Sequence, residues 1–80
     1  LRERADRIGT LMTLEQGKPL GEAKGEVIGA AQLFDYYAEE AKRAYGRVLV
    51  RPTGQRSIVI KQPVGPVASF TPWNFPVYLM

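Results

Sequence analysis

The chain has 80 residues, 45% hydrophobic and 24% charged, with a formal net charge of +3; this is the mix of an ordinary globular chain of at most one small domain, and it excludes a disordered tail. It contains neither Cys nor His, which excludes cysteine nucleophiles, imidazole general bases, disulfides and ordinary zinc sites within these residues. A chain of this size without such reinforcement needs a partner surface to become stable.

The first 16 residues carry Ala5, Ile8, Leu11 and Met12 with charges between them, a spacing that predicts a helix. Gly17 supplies its stop, and the pair Lys18-Pro19 predicts a sharp turn across residues 17–20. In the next segment Val27, Ala31, Phe34, Ala38, Ala41 and Tyr45 step by three and four, which predicts one apolar face over several turns of a second helix closed by Gly46. Gly25 and Gly29 weaken helix propensity there and are expected where another backbone comes close.

Beyond Gly46 the pattern becomes extended. Residues 47–51 and 56–62 are rich in β-branched side chains and flank the turn residues 52–55, so a β-hairpin is expected. Two strands alone are marginal, and the hairpin is expected to add to another sheet or another subunit. After the stiff link of residues 63–66, a short apolar strand is expected at residues 67–71. The chain opens inside a charged periodic stretch and stops inside the apolar residues 77–80, which leads to the expectation of an excerpt from a longer protein.

The pentapeptide PWNFP, residues 72–76, follows directly. Two prolines restrict the backbone around Asn74, and burial of Trp73 and Phe75 would lock the loop. A primary amide held this way suits an oxyanion hole, because it donates to a developing negative oxygen without becoming charged. Composition alone favours the plainer reading of the same residue, a helix N-cap at a strand-to-helix turn.

Three segments, TLEQGKPLGEAKGEV at residues 13–27, FDYYAEEAKRAYG at residues 34–46 and IKQPVGPVASFTPWNFP at residues 60–76, resemble the NAD(P)-dependent aldehyde dehydrogenase superfamily, most closely its succinate-semialdehyde dehydrogenase branch. The resemblance implies an α/β fold: a fragment of a Rossmann-like cofactor domain in which residues 1–46 form the helical part, residues 47–62 an oligomerisation ribbon, and residues 63–80 the return into the cofactor domain through a strand leading into the PWNFP loop. It implies that Asn74 is the catalytic oxyanion donor, that Thr71, Pro72, Trp73 and Asn74 lie beside NAD or NADP, and that Phe75 faces the substrate tunnel. In that family a cysteine thiolate attacks the aldehyde, hydride passes to nicotinamide, and water releases the acid with help from a glutamate. The implied cysteine and glutamate lie beyond Met80, so the segment is not expected to be active by itself. The implied substrate is a small aldehyde such as succinate semialdehyde, and the implied assembly is a homo-oligomer through the hairpin. The alternative is a non-catalytic relative that keeps the scaffold for structure or association.

The remaining conspicuous residues are given plainer roles. Lys18 has no phosphate loop around it and reads as a solvated turn lysine. Glu39 and Glu40 read as a solvent face, and Tyr36 and Tyr37 as helix-packing aromatics. All eight carboxylates precede Ala44, leaving Arg47, Arg51, Arg56 and Lys61 as an acid-free basic half. Such a half invites a nucleic-acid reading. With no basic run and no aromatic ladder, these cations read instead as solvated or interface charges. No membrane span, nucleic-acid partner or metal is expected, and a cytoplasmic location follows from the lack of a signal peptide at the start.

Overall fold

The computed structural model describes residues 1–80. A short 3-10 turn, Arg2–Arg4, leads into helix α1, Ala5–Gln16, and the link at residues 17–19 leads into helix α2, Leu20–Glu40. Gly17 ends α1 in the left-handed conformation, φ +80°, and its N–H donates to the Thr13 carbonyl, the C-terminal arrangement that glycine adopts without the penalty of a Cβ. Pro19 opens α2 with an extended backbone, and its carbonyl accepts the first helical bond from Ala23 N–H at 2.9 Å.

The helices return antiparallel, with Arg2 paired to Asp35 at one end and Gly9 against Lys24 nearer the link. In their seam Ala5, Met12, Ala23 and Val27 form the core, with Ile8 and Val77 packed against it. The close approach falls at Gly9, where an added Cβ would lie 2.9 Å from Lys24 Cγ and 3.1 Å from its backbone nitrogen. This differs from the expectation at Gly25, which faces open space, and at Gly29, which faces the ring of Tyr78 rather than a backbone.

The apolar face expected along α2 is only partly used. Val27 and Ala31 are buried, whereas Phe34, Ala38, Ala41 and Tyr45 are exposed. Past Asp35 the reason is length: the segment from Arg2 to Gln16 faces α2 only that far, and the last turns, with Ala38, project beyond it. Tyr36 and Tyr37 are exposed and meet only edge to face, with centroids 5.2 Å apart. The helix ends at Glu40 and tightens into a 3-10 turn, Ala41–Arg43, rather than running to Gly46. Ion pairs Glu39–Lys42 and Glu40–Arg43, spaced i to i+3, suit that tighter winding.

Strands β1, Arg47–Leu49, and β2, Ser57–Val59, pair antiparallel with Val48 opposite Ile58. They are shorter than the hairpin read from residues 47–62. Gly46 abuts β2 so closely that a Cβ there would lie 2.2 Å from the Val59 carbonyl oxygen, so its role is to admit that backbone rather than to cap the helix. Residues 67–71 form no strand. A strand needs a partner backbone, and the sheet consists of β1 and β2 alone. The architecture is thus α/β in the limited sense of two helices and one small antiparallel sheet. It is extended, 63 × 21 × 17 Å with a radius of gyration of 19.2 Å, against about 12 Å for a compact chain of this length. No helix is long and apolar enough to cross a membrane.

Candidate active-site segment

Residues 71–80 fold back onto the helix pair as a series of turns. The Thr71 hydroxyl donates to the Pro76 carbonyl at 2.8 Å and closes the loop that contains Asn74. Beyond it, Leu79 N–H donates to the Phe75 carbonyl at 3.1 Å, a single helical turn. In that turn Phe75 holds the capping position and Pro76 the first helical position, where a missing N–H costs nothing. Phe75 has no side-chain oxygen to cap the next two N–H groups, and Asn74 does not cap them either. Glu26 does: its Oε1 accepts from Val77 N–H at 2.9 Å and from Tyr78 N–H at 3.2 Å.

The other oxygen of Glu26 receives Lys18 Nζ at 2.5 Å. Both side chains are sequestered, with relative exposures of 10% for Lys18 and 2% for Glu26. Lys18 also donates to the backbone carbonyl of Asn74 at 2.6 Å and lies 4.0 Å from the centroid of the Phe75 ring. The expectation of a solvated turn lysine is therefore overturned, because the turn after Gly17 aims Lys18 back under the PWNFP loop. Burial by itself would push the Glu26 carboxyl up, but the Lys18 hydrogen bond, the Val77 and Tyr78 amides and the Lys18 charge together hold it below its ordinary value of 4.5.

Glu26 is a site residue that the motifs of the sequence do not single out. Its signal is periodic: Ala23, Glu26, Val27 and Ala30 are all buried and spaced as one helical stripe, so the carboxylate occupies a position that otherwise takes an apolar side chain. A buried acid on such a stripe requires a partner.

The lock on the loop is polar rather than aromatic. Trp73 is 76% exposed and Phe75 49% exposed, so neither supplies the burial expected of it. Pro72 and Asn74 are exposed and Thr71 is half-buried. The Asn74 side chain makes no hydrogen bond within the chain, while its own carbonyl is held by Lys18. The carbonyls of Thr71, Pro72 and Trp73 likewise have no internal donor. The segment therefore combines a tied backbone with an unengaged amide and a row of free carbonyl acceptors.

The aldehyde dehydrogenase family profile matches residues 1–80. The chain is 58% identical over 80 residues to a 4-(hydroxymethyl)benzenesulfonate dehydrogenase of Comamonas testosteroni, covering 99% of this chain and 17% of that protein. It is 52% identical over 79 residues to the succinate-semialdehyde dehydrogenase (NADP+) of Escherichia coli, covering 98% of this chain and 16% of that protein. The same identity over 79 residues relates it to a glutarate-semialdehyde dehydrogenase of Pseudomonas putida, again covering 98% and 16%. The chain thus spans about a sixth of the length of these curated relatives. A match that runs from Leu1 to Met80, through both helices, the hairpin and the PWNFP loop, makes this chain a member of the aldehyde dehydrogenase family.

Proposed function

We propose that this chain is a segment of a longer dehydrogenase that oxidises a small aldehyde, succinate semialdehyde or a similar semialdehyde, to the carboxylic acid with hydride transfer to NAD or NADP. The observation that carries the reading is the Asn74 amide, exposed and without an internal partner on a loop whose backbone is tied by Thr71, Lys18 and Glu26. The names of relatives about half identical to this chain, two of them semialdehyde dehydrogenases, support the substrate class.

The chemistry of Asn74 follows from its donor. When a nucleophile adds to an aldehyde carbonyl, charge builds on the oxygen, and a fixed NH2 group stabilises that charge more than the neutral carbonyl. A nicotinamide cofactor, when bound, accepts the hydride. The free carbonyls of Thr71, Pro72 and Trp73 are acceptors of the kind that cofactor hydroxyl and amide groups require, and the exposed Trp73 indole offers a flat apolar surface beside them. Residues 71–74 thus fit a cofactor edge, and Phe75 a substrate wall. The catalytic cysteine and the glutamate that assists hydrolysis belong to other parts of the complete protein.

The hairpin supports a role in self-association. Val48, Ile58 and Ile60 are 72%, 62% and 66% exposed, and both strand edges are open to pair with a second copy. Residues 1–46 and 63–80 then belong to a Rossmann-like cofactor domain in a cytoplasmic enzyme. The test is turnover by the complete protein. Succinate semialdehyde with NAD or NADP is expected to yield succinate and an equal amount of reduced nicotinamide. No turnover with any short aldehyde would instead make the protein a non-catalytic relative.

A further inference from the structure

We propose that Lys18 and Glu26 are a positioning pair that sets the location of the Asn74 amide for catalysis, a role that rests on the reading of Asn74 as oxyanion donor. The two residues anchor the chain at Asn74 and just after it. Lys18 holds the Asn74 carbonyl itself, and Glu26 holds the amides of Val77 and Tyr78, three and four residues on. The Lys18–Glu26 bond joins these two anchors into one unit.

The geometry engages the Asn74 carbonyl inward and leaves its side-chain amide exposed and without a partner. Its carbonyl is engaged inward by a sequestered ammonium, and the following ring of Phe75 lies against the same ammonium at 4.0 Å. Rotation of the peptide after Asn74 would break the Lys18 bond and turn the Phe75 ring away, so the two contacts select one backbone orientation. Both anchors stand on the helix pair: Lys18 in the link after α1, and Glu26 beside the core residue Val27. An oxyanion donor acts only if it is placed to a fraction of an ångström, and a displacement near 1 Å costs about 100-fold. Support by rigid elements is what such a donor requires.

The test is a kinetic cycle in the complete enzyme with Lys18→Met, Glu26→Gln, Asn74→Ala and the double variants Lys18→Met/Asn74→Ala and Glu26→Gln/Asn74→Ala. Lys18→Met is expected to lower kcat about 10-fold or more while the aldehyde KM changes less than about twofold, the pattern of a lost transition-state interaction. In the Asn74→Ala background the same substitution is expected to change kcat less than about twofold, because the group it positions is gone. An equal loss in both backgrounds, a loss confined to KM, or no loss would overturn the positioning role. Glu26→Gln keeps an oxygen for the Val77 and Tyr78 amides, and its comparison across the two backgrounds decides the matter should Lys18→Met fail to fold. Unchanged kcat in Asn74→Ala alone would overturn the oxyanion reading and the positioning role with it, an outcome visible in that single variant.

Discussion

The ammonium of Lys18 donates to the backbone carbonyl of Asn74 at 2.6 Å, joining the end of the first helix to a loop 56 residues further along the chain. Through this contact a turn that looks like simple punctuation becomes the floor of the proposed oxyanion site. The bond is charge-assisted and shielded, which makes it stronger than a neutral bond in water.

Glu26→Ala is expected to destabilise the protein by about 3 kcal/mol or more, because it leaves a sequestered ammonium and two backbone amides without their acceptor. Glu26→Gln is expected to cost less, since its amide oxygen still accepts from Val77 and Tyr78. Denaturant titration of the two variants side by side in the complete protein measures the difference; equal losses would show that the capping bonds contribute nothing.

The same carboxylate makes docking of the loop acid-sensitive. Its folded-state pKa is depressed, so its contribution is fully present above the ordinary value of 4.5 and is lost as pH falls through the lower folded-state value. The Glu26 carboxyl resonance followed by NMR is expected to titrate below the ordinary value of 4.5, and stability below pH 4.5 is expected to fall less steeply in Glu26→Gln than in the parent. A Glu26 resonance that titrates at or above 4.5 would contradict this.

Two glycines on the same chain are expected to respond oppositely to alanine. Gly25 lies inside α2, and a Cβ added there would meet no atom within 4 Å, so Gly25→Ala is expected to stabilise by about 0.5–1 kcal/mol through helix propensity alone. Gly46→Ala would drive a Cβ to 2.2 Å from the Val59 oxygen, and is expected to part the end of the hairpin. Circular dichroism for the first and amide exchange in residues 57–59 for the second check these directions.

The 80-residue chain alone is expected to melt without a cooperative transition. Only 8 of its 80 residues are buried, while Val50, Phe70 and Trp73 stand 99%, 95% and 76% exposed, too small a core to offset the entropy of ordering the chain. A sharp calorimetric peak for the isolated segment would refute this.

Much of the local structure is legible in the sequence because it depends on near neighbours. The period of Ala5, Ile8 and Met12 marks α1, Gly17 marks its end, and the turn residues 52–55 mark the hairpin. What depends on distant partners is not legible in the same way. Ala38 and Tyr45 carry the pattern of a buried face, yet α1 is too short to cover them. Residues 67–71 have the composition of a strand, but no strand lies beside them to pair with. Lys18 reads as solvated because its acceptors, Glu26 and the Asn74 carbonyl, are 8 and 56 residues away. The PWNFP loop is legible as rigid, but from its prolines and expected aromatic burial; the polar anchors of Lys18 and Glu26 tie it instead.

The oxyanion role of Asn74 is tested most directly by kcat of Asn74→Ala in the complete enzyme with its aldehyde and NAD or NADP. A fall of about 10²–10³-fold is expected, the usual cost of removing one oxyanion donor, with cofactor affinity retained. An unchanged kcat would contradict it.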